Sequence, residues 1–95
     1  MTIYNLGIPK NYIGENMDKK TMPLTHLPDH KKAIIVSMEG GQGFQRKLRV
    51  MGIREKQTIE VISRQPFRGP LTIAIGSCQM TLGRGMAQKI IVEVS

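Results

Sequence analysis

The stretch Gly40-Gly41-Gln42-Gly43-Phe44-Gln45-Arg46-Lys47-Leu48-Arg49-Val50-Met51-Gly52-Ile53 decides how this chain folds, because composition, periodicity and end signals all agree there on one short helix. At roughly 100° per residue, Phe44, Leu48 and Met51 fall within about 60° of one another and form an apolar stripe, while Arg46 and Arg49 point the other way. Gly52 stands where a helix C-terminus wants a left-handed residue. With Gly52 at C′, Ile53 becomes C″ and Leu48 becomes C3, the pair whose contact accompanies a Schellman stop. Upstream, three glycines let a strand turn sharply into the helix and leave its first N–H groups uncovered. The expected product is a small amphipathic helix, basic outside, pressed onto something apolar.

Working outward, Ala33 to Met38 is a β-branched strand after the polar turn at Asp29 to Lys32. Met22 to Pro28 reads as an extended lead-in with a short turn, Leu24 and Leu27 pointing inward. Beyond the helix, Thr58 to Arg64 alternates, with Ile59 and Val61 on one face. Gln65 to Pro70 is a loop with turn residues at both ends. Leu71, Ile73 and Ile75 alternate in the next strand, Gly76-Ser77 suits a type II′ hairpin turn, and Cys78, Met80 and Leu82 alternate on the way back. Gly83 to Gln88 predicts one coil of helix, and Ile90 to Val94 a closing strand. Five short strands with one inserted helix predict a mostly β fold, a compact bent sheet or small barrel. Residues 1–22 break every period and read as an N-terminal extension, mobile or docked on a partner; residues 23–95 form the domain.

The chain has 95 residues, enough for one domain with a thin core. With Tyr4, Tyr12, Phe44 and Phe67 its only aromatics, that core must be built from Ile, Val, Leu and Met. Cys78 is the only cysteine, so an intramolecular disulfide is excluded and a reducing cytoplasm is the expected compartment. No apolar run approaches the eighteen or so residues that span a bilayer, so membrane insertion is not expected.

Net charge is +7, and residues 23–95 hold eleven basic and five acidic side chains, so the domain itself carries +6. Such a field attracts an acidic protein face, nucleic acid or an anionic membrane surface. Arg46, Lys47, Arg49, Arg54 and Lys56 lie on or just after the helix, with Arg64 and Arg68 on the long hairpin. As a nucleic-acid site they lack interleaved exposed aromatics, since Phe44 faces inward and only Phe67 remains for stacking. An acidic protein face needs no such aromatics.

The glycine turn before the helix invites a phosphate-binding reading, but no Gly-Lys-Ser/Thr follows and the helix is too short for a dinucleotide unit. Acidic residues are few and scattered, with no carboxylate pair or nucleophile–base spacing, so an enzyme is not expected. His26, His30 and Cys78 are the soft ligand types available for a transition metal ion; Pro28 between the two histidines argues against a shared helical face, and Cys78 reads as a buried strand residue.

Residues 23–95 resemble the FeoA family, the small ferrous iron transport protein A. The resemblance is carried by the Leu24-x-x-Leu27 lead-in, the Gly40-Gly41 turn, Arg46-x-Leu48-x-x-Met51-Gly52-Ile53, Val61, Pro70, Gly76, Met80-x-Leu82, Ala87 and Ile90-x-Val92. It implies an SH3-like β-barrel with an inserted helix, and a non-enzymatic accessory role beside the membrane transporter FeoB, whose cytosolic part is a G-protein domain. The same domain also closes metal-dependent repressors, which implies an alternative regulatory module. On the transporter reading, Arg46, Arg49 and Arg54 are expected charged contacts, with Met51 and Phe67 as apolar anchors. Exposed sheet edges and the apolar cluster Ile3, Tyr4, Leu6 and Ile8 also fit a homo-oligomer. The chain departs from the family at Glu55-Lys56, where Pro-Gly is usual, near Asp29 and His30, where a glycine is usual, and at Gly83-Arg84-Gly85.

Overall fold

The computed structural model describes residues 19–94. They form β1 (Lys20–Pro23), a 3-10 turn (Leu24–His26), β2 (Lys32–Met38), α1 (Gln42–Val50), β3 (Thr58–Arg64), β4 (Leu71–Ile75), β5 (Cys78–Leu82), α2 (Arg84–Ala87) and β6 (Ile90–Val94). The six strands make one sheet in the order β1-β6-β2-β3-β4-β5, every pair antiparallel. The mostly β, SH3-like architecture expected from the sequence is thus present with six strands rather than five. The added strand is β1, which pairs with β6 from Lys20↔Val94 to Pro23↔Ile91. Lys20 to Met22 therefore belong to the sheet and not to the extension; the remainder of the extension, up to residue 18, lies outside the described residues.

Two bulges bend the strands. Between β2 and β6 the register shifts across Ile35 and Ser37, and between β3 and β4 across Val61 and Ser63. Each bulge inserts one residue, here Val36 and Ile62, and reverses the phase of inward and outward side chains beyond it. Ala33 and Ile35 are accordingly buried, Val36 and Ser37 exposed, and Met38 buried again. The core collects Leu24, Leu27, Ile35, Leu48, Ile53, Ile59, Val61, Leu71, Ile73, Leu82, Ile90 and Val92, aliphatic throughout, as the scarcity of aromatics required. Phe44 packs against it half-buried, with the Lys89 ammonium 4.9 Å from its ring centroid.

The stop of α1 follows its sequence signals. Gly52 has φ +94°, the Ile53 N–H donates to the Leu48 carbonyl at 2.9 Å, and the Gly52 N–H donates to the Arg49 carbonyl at 2.9 Å. Both bonds are those of a Schellman motif, and Leu48 and Ile53 are both fully buried.

Two of the departures from the family pattern acquire a physical meaning. His30 has φ +66° and Lys56 φ +74°, so the residues standing near the family's usual glycines are held in the left-handed region. Each is fixed there by its own N–H, His30 to the Val61 carbonyl and Lys56 to the Ile35 carbonyl, both at 2.7 Å. Glycine adopts this conformation without the side-chain clash, at the cost of a freer unfolded chain. H30G and K56G are each expected to raise the unfolding free energy by about 0.5–1 kcal/mol in urea titrations; a loss of stability in both would contradict the strain.

Candidate docking surface

α1 is seated by Leu48 and turns a stripe of Gln42, Gln45, Arg46 and Arg49 outward, where these four line an open shallow concavity. The spacing i, i+3, i+4, i+7 places them on one face. Gln45 also fixes the entry to the helix, its Nε2 donating to the Met38 carbonyl at 3.0 Å and the Gly40 carbonyl at 3.2 Å. Arg46 has no ion-pair partner among the described residues, and Arg49 lies 3.9 Å from Glu55 with both side chains well exposed. An exposed pair at that distance contributes little and leaves the guanidinium available. Arg54 follows at the exit: its N–H donates to Gln57 Oε1 at 2.7 Å, and Gln57 Nε2 donates to the Gly52 carbonyl at 3.0 Å. Gln57 thereby pins the segment that carries the exposed Arg54 side chain.

Of the two expected apolar anchors, Met51 is half-buried and packs against the core, so it is committed inward. The apolar side chain that α1 leaves in solvent is Val50, 81% exposed and one turn beyond Arg46. The helical wheel places residue 50 on the outer face, so this signal was present in the sequence. Phe67 is 99% exposed at the tip of the β3–β4 hairpin. β3 has seven residues, about 23 Å of strand, between the α1 side and that tip. The basic stripe and Phe67 are consequently separate features.

Arg64 does not join the basic surface. Its Nε donates to Asp29 Oδ1 at 2.7 Å, its Nη1 to the Thr25 carbonyl at 2.9 Å, and its Nη2 to the Leu27 carbonyl, so it ties β3 to the lead-in. Cys78, read as buried, is exposed, because β5 is an edge strand and only Leu82 of its alternating set is fully buried. His30 lies 3.8 Å from Glu60, and His26 is exposed on the 3-10 turn. No three His, Cys, Asp or Glu side chains gather among the described residues, so His26, His30 and Cys78 do not form one group. No described helix is long and apolar enough to cross a membrane.

The FeoA domain matches residues 22–94, from the end of β1 through β6. The chain belongs to the FeoA family. A Methanocaldococcus jannaschii relative carrying the name Fe(2+) transport protein A is 32% identical over 71 residues, covering 75% of this chain and 84% of the relative. A Porphyromonas gingivalis protein named as a fusion of Fe(2+) transport protein A with the Fe(2+) transporter FeoB is 34% identical over 73 residues. That match takes in 77% of this chain and 9% of the fusion protein. Among solved structures, the crystal structure of an iron uptake regulatory protein, FeoA, superposes with a TM-score of 0.70 at 29% identity, covering 79% of this chain and 99% of that one. In this FeoA-family domain, α1 with its Arg46-to-Ile53 ending is therefore both the element that specifies the fold and the one that presents the basic stripe.

Proposed function

We propose that this chain is a non-enzymatic cytoplasmic accessory protein of ferrous iron transport that docks on the cytosolic G-protein part of the transporter FeoB. The observation that carries this reading is the P. gingivalis relative in which a matching FeoA region and FeoB share one polypeptide, since fusion of two proteins fits partners that work in contact. The α1 stripe supplies the chemistry: Arg46 and Arg49 in the concavity, Arg54 beside it and Val50 as an apolar contact. An acidic patch with a small apolar centre complements that set, and a domain charge of +6 steers it there.

The test is calorimetric titration of the full chain into the soluble cytosolic domain of the same organism's FeoB, beside the R46E/R49E variant. Reversing two exposed charges at about 1 kcal/mol each weakens binding roughly 30-fold. Neither side chain is buried, so the melting temperature moves by only a few degrees. Unchanged affinity removes the helix face from the interface. Binding to RNA or DNA alone, with a steep salt dependence, overturns the transporter reading.

A further inference from the structure

The β3–β4 hairpin ends in a turn whose residues contradict its backbone. Phe67 and Arg68 have φ +59° and +61°, and the Gly69 N–H donates to the Pro66 carbonyl at 3.1 Å. This is a type I′ turn, which demands left-handed residues at both central positions and favours Asn-Gly there. A bulky aromatic and an arginine are among the poorer choices. Nothing within the domain offsets that choice, because Phe67 is 99% exposed and Arg68 makes no ion pair among the described residues. The rest of the tip is stiff. Pro66 and Pro70 fix the neck, Gln65 donates its N–H to the Pro70 carbonyl at 3.0 Å, and a Cβ on Gly69 would stand 2.9 Å from the Gln65 Cβ.

A single exposed apolar residue needs no explanation. Two adjacent left-handed non-glycine residues holding that residue rigidly outward do, and such strain persists where it serves a site. We infer that the Phe67-Arg68 tip is a second docking element, a preorganised plug for an apolar pocket with a carboxylate at its rim on the cytosolic domain of FeoB. The pairing of Phe67 with the unpartnered Arg68, on a domain of net charge +6, selects an acidic rim. A rigid tip loses little freedom on insertion. One aromatic side chain buries too little to hold a protein on a bilayer, which favours a protein pocket over a lipid surface. The inference rests on the transporter reading for the partner's identity and on the turn for the geometry.

The experiment measures binding of the full chain, F67A and F67N/R68G to the soluble FeoB cytosolic domain, with a melting curve for each. F67A keeps the strained turn and removes the ring; binding is expected to weaken at least 10-fold with an unchanged melting temperature. F67N/R68G installs the turn's favoured residues, so it should melt about 5 °C higher while losing the same affinity. Both variants binding like the wild type overturns the plug and leaves the transporter reading standing. No binding by the wild type overturns both. A parallel arm uses phosphatidylcholine vesicles with and without phosphatidylglycerol: Phe67-dependent capture by vesicles, with binding to the transporter domain unaffected, also overturns the plug.

Discussion

An R64M variant is expected to lose about 3 kcal/mol of unfolding free energy, a fall of roughly 10–20 °C in melting temperature for a domain of this size. Arg64 spends its guanidinium on two backbone carbonyls, those of Thr25 and Leu27, and on Asp29. The carbonyls belong to the lead-in that delivers Leu24 and Leu27 to the core, both fully buried. Methionine fills the stem but leaves those acceptors without a donor. R64K should recover only part of the loss, since an ammonium lacks the planar fork that reaches three acceptors at once. Asp29 is the minor partner, its side chain 44% exposed, and D29N should cost under about 1 kcal/mol. If D29N proves as damaging as R64M, the clamp on the carbonyls is not what matters. Urea denaturation of the three variants settles the order.

L48A should cost about 3–4 kcal/mol, the largest effect expected from a single truncation on α1. Leu48 is fully buried, and it meets Ile53 across the helix stop. Truncation therefore opens a cavity and loosens the contact that closes the helix. Its near neighbour Val50 supplies the contrast: 81% exposed, it should tolerate alanine within about 0.5 kcal/mol, helped by alanine's better helix propensity. Equal losses from L48A and V50A in thermal melts would contradict the observed seating of the helix.

What the sequence discloses and what it conceals divide along the range of the interactions involved. The end of α1 was legible because Leu48, Gly52 and Ile53 carry a local chemistry, six residues wide, that allows few alternatives. The Gly76-Ser77 turn was legible for the same reason, and Gly76 has φ +60° while Ser77 does not share it. Cys78 misled because its exposure depends on β5 lying at the edge of the sheet, a fact about neighbours that alternation cannot supply. The bulge at Val36 was hidden by the β-branched run Ile34-Ile35-Val36, and that at Ile62 by its β-branched neighbour Val61, since an inserted residue there looks like any other. Arg64 read as one more basic side chain, and its partners lie 35 to 39 residues away. On α1 and its exit, Arg46, Arg49 and Arg54 are exterior as read, while Met51 is half-buried and Val50 is the apolar side chain left in solvent. The left-handed conformation of Phe67 and Arg68 had no sequence signal at all, since neither residue prefers it.

The pairing of β1 with β6 brings Lys20 opposite Val94, so the described domain begins and ends at one place on its surface. A polypeptide that enters and leaves at neighbouring points behaves as a pendant: it hangs from a longer chain by either end, or by both, without stretching or re-threading. Such a module needs no redesign to pass between life as a free protein and life as a segment of a larger one. A short tether at that point would keep both the α1 stripe and the hairpin tip within reach of whatever it hangs from, at an effective concentration that diffusion of separate molecules does not supply.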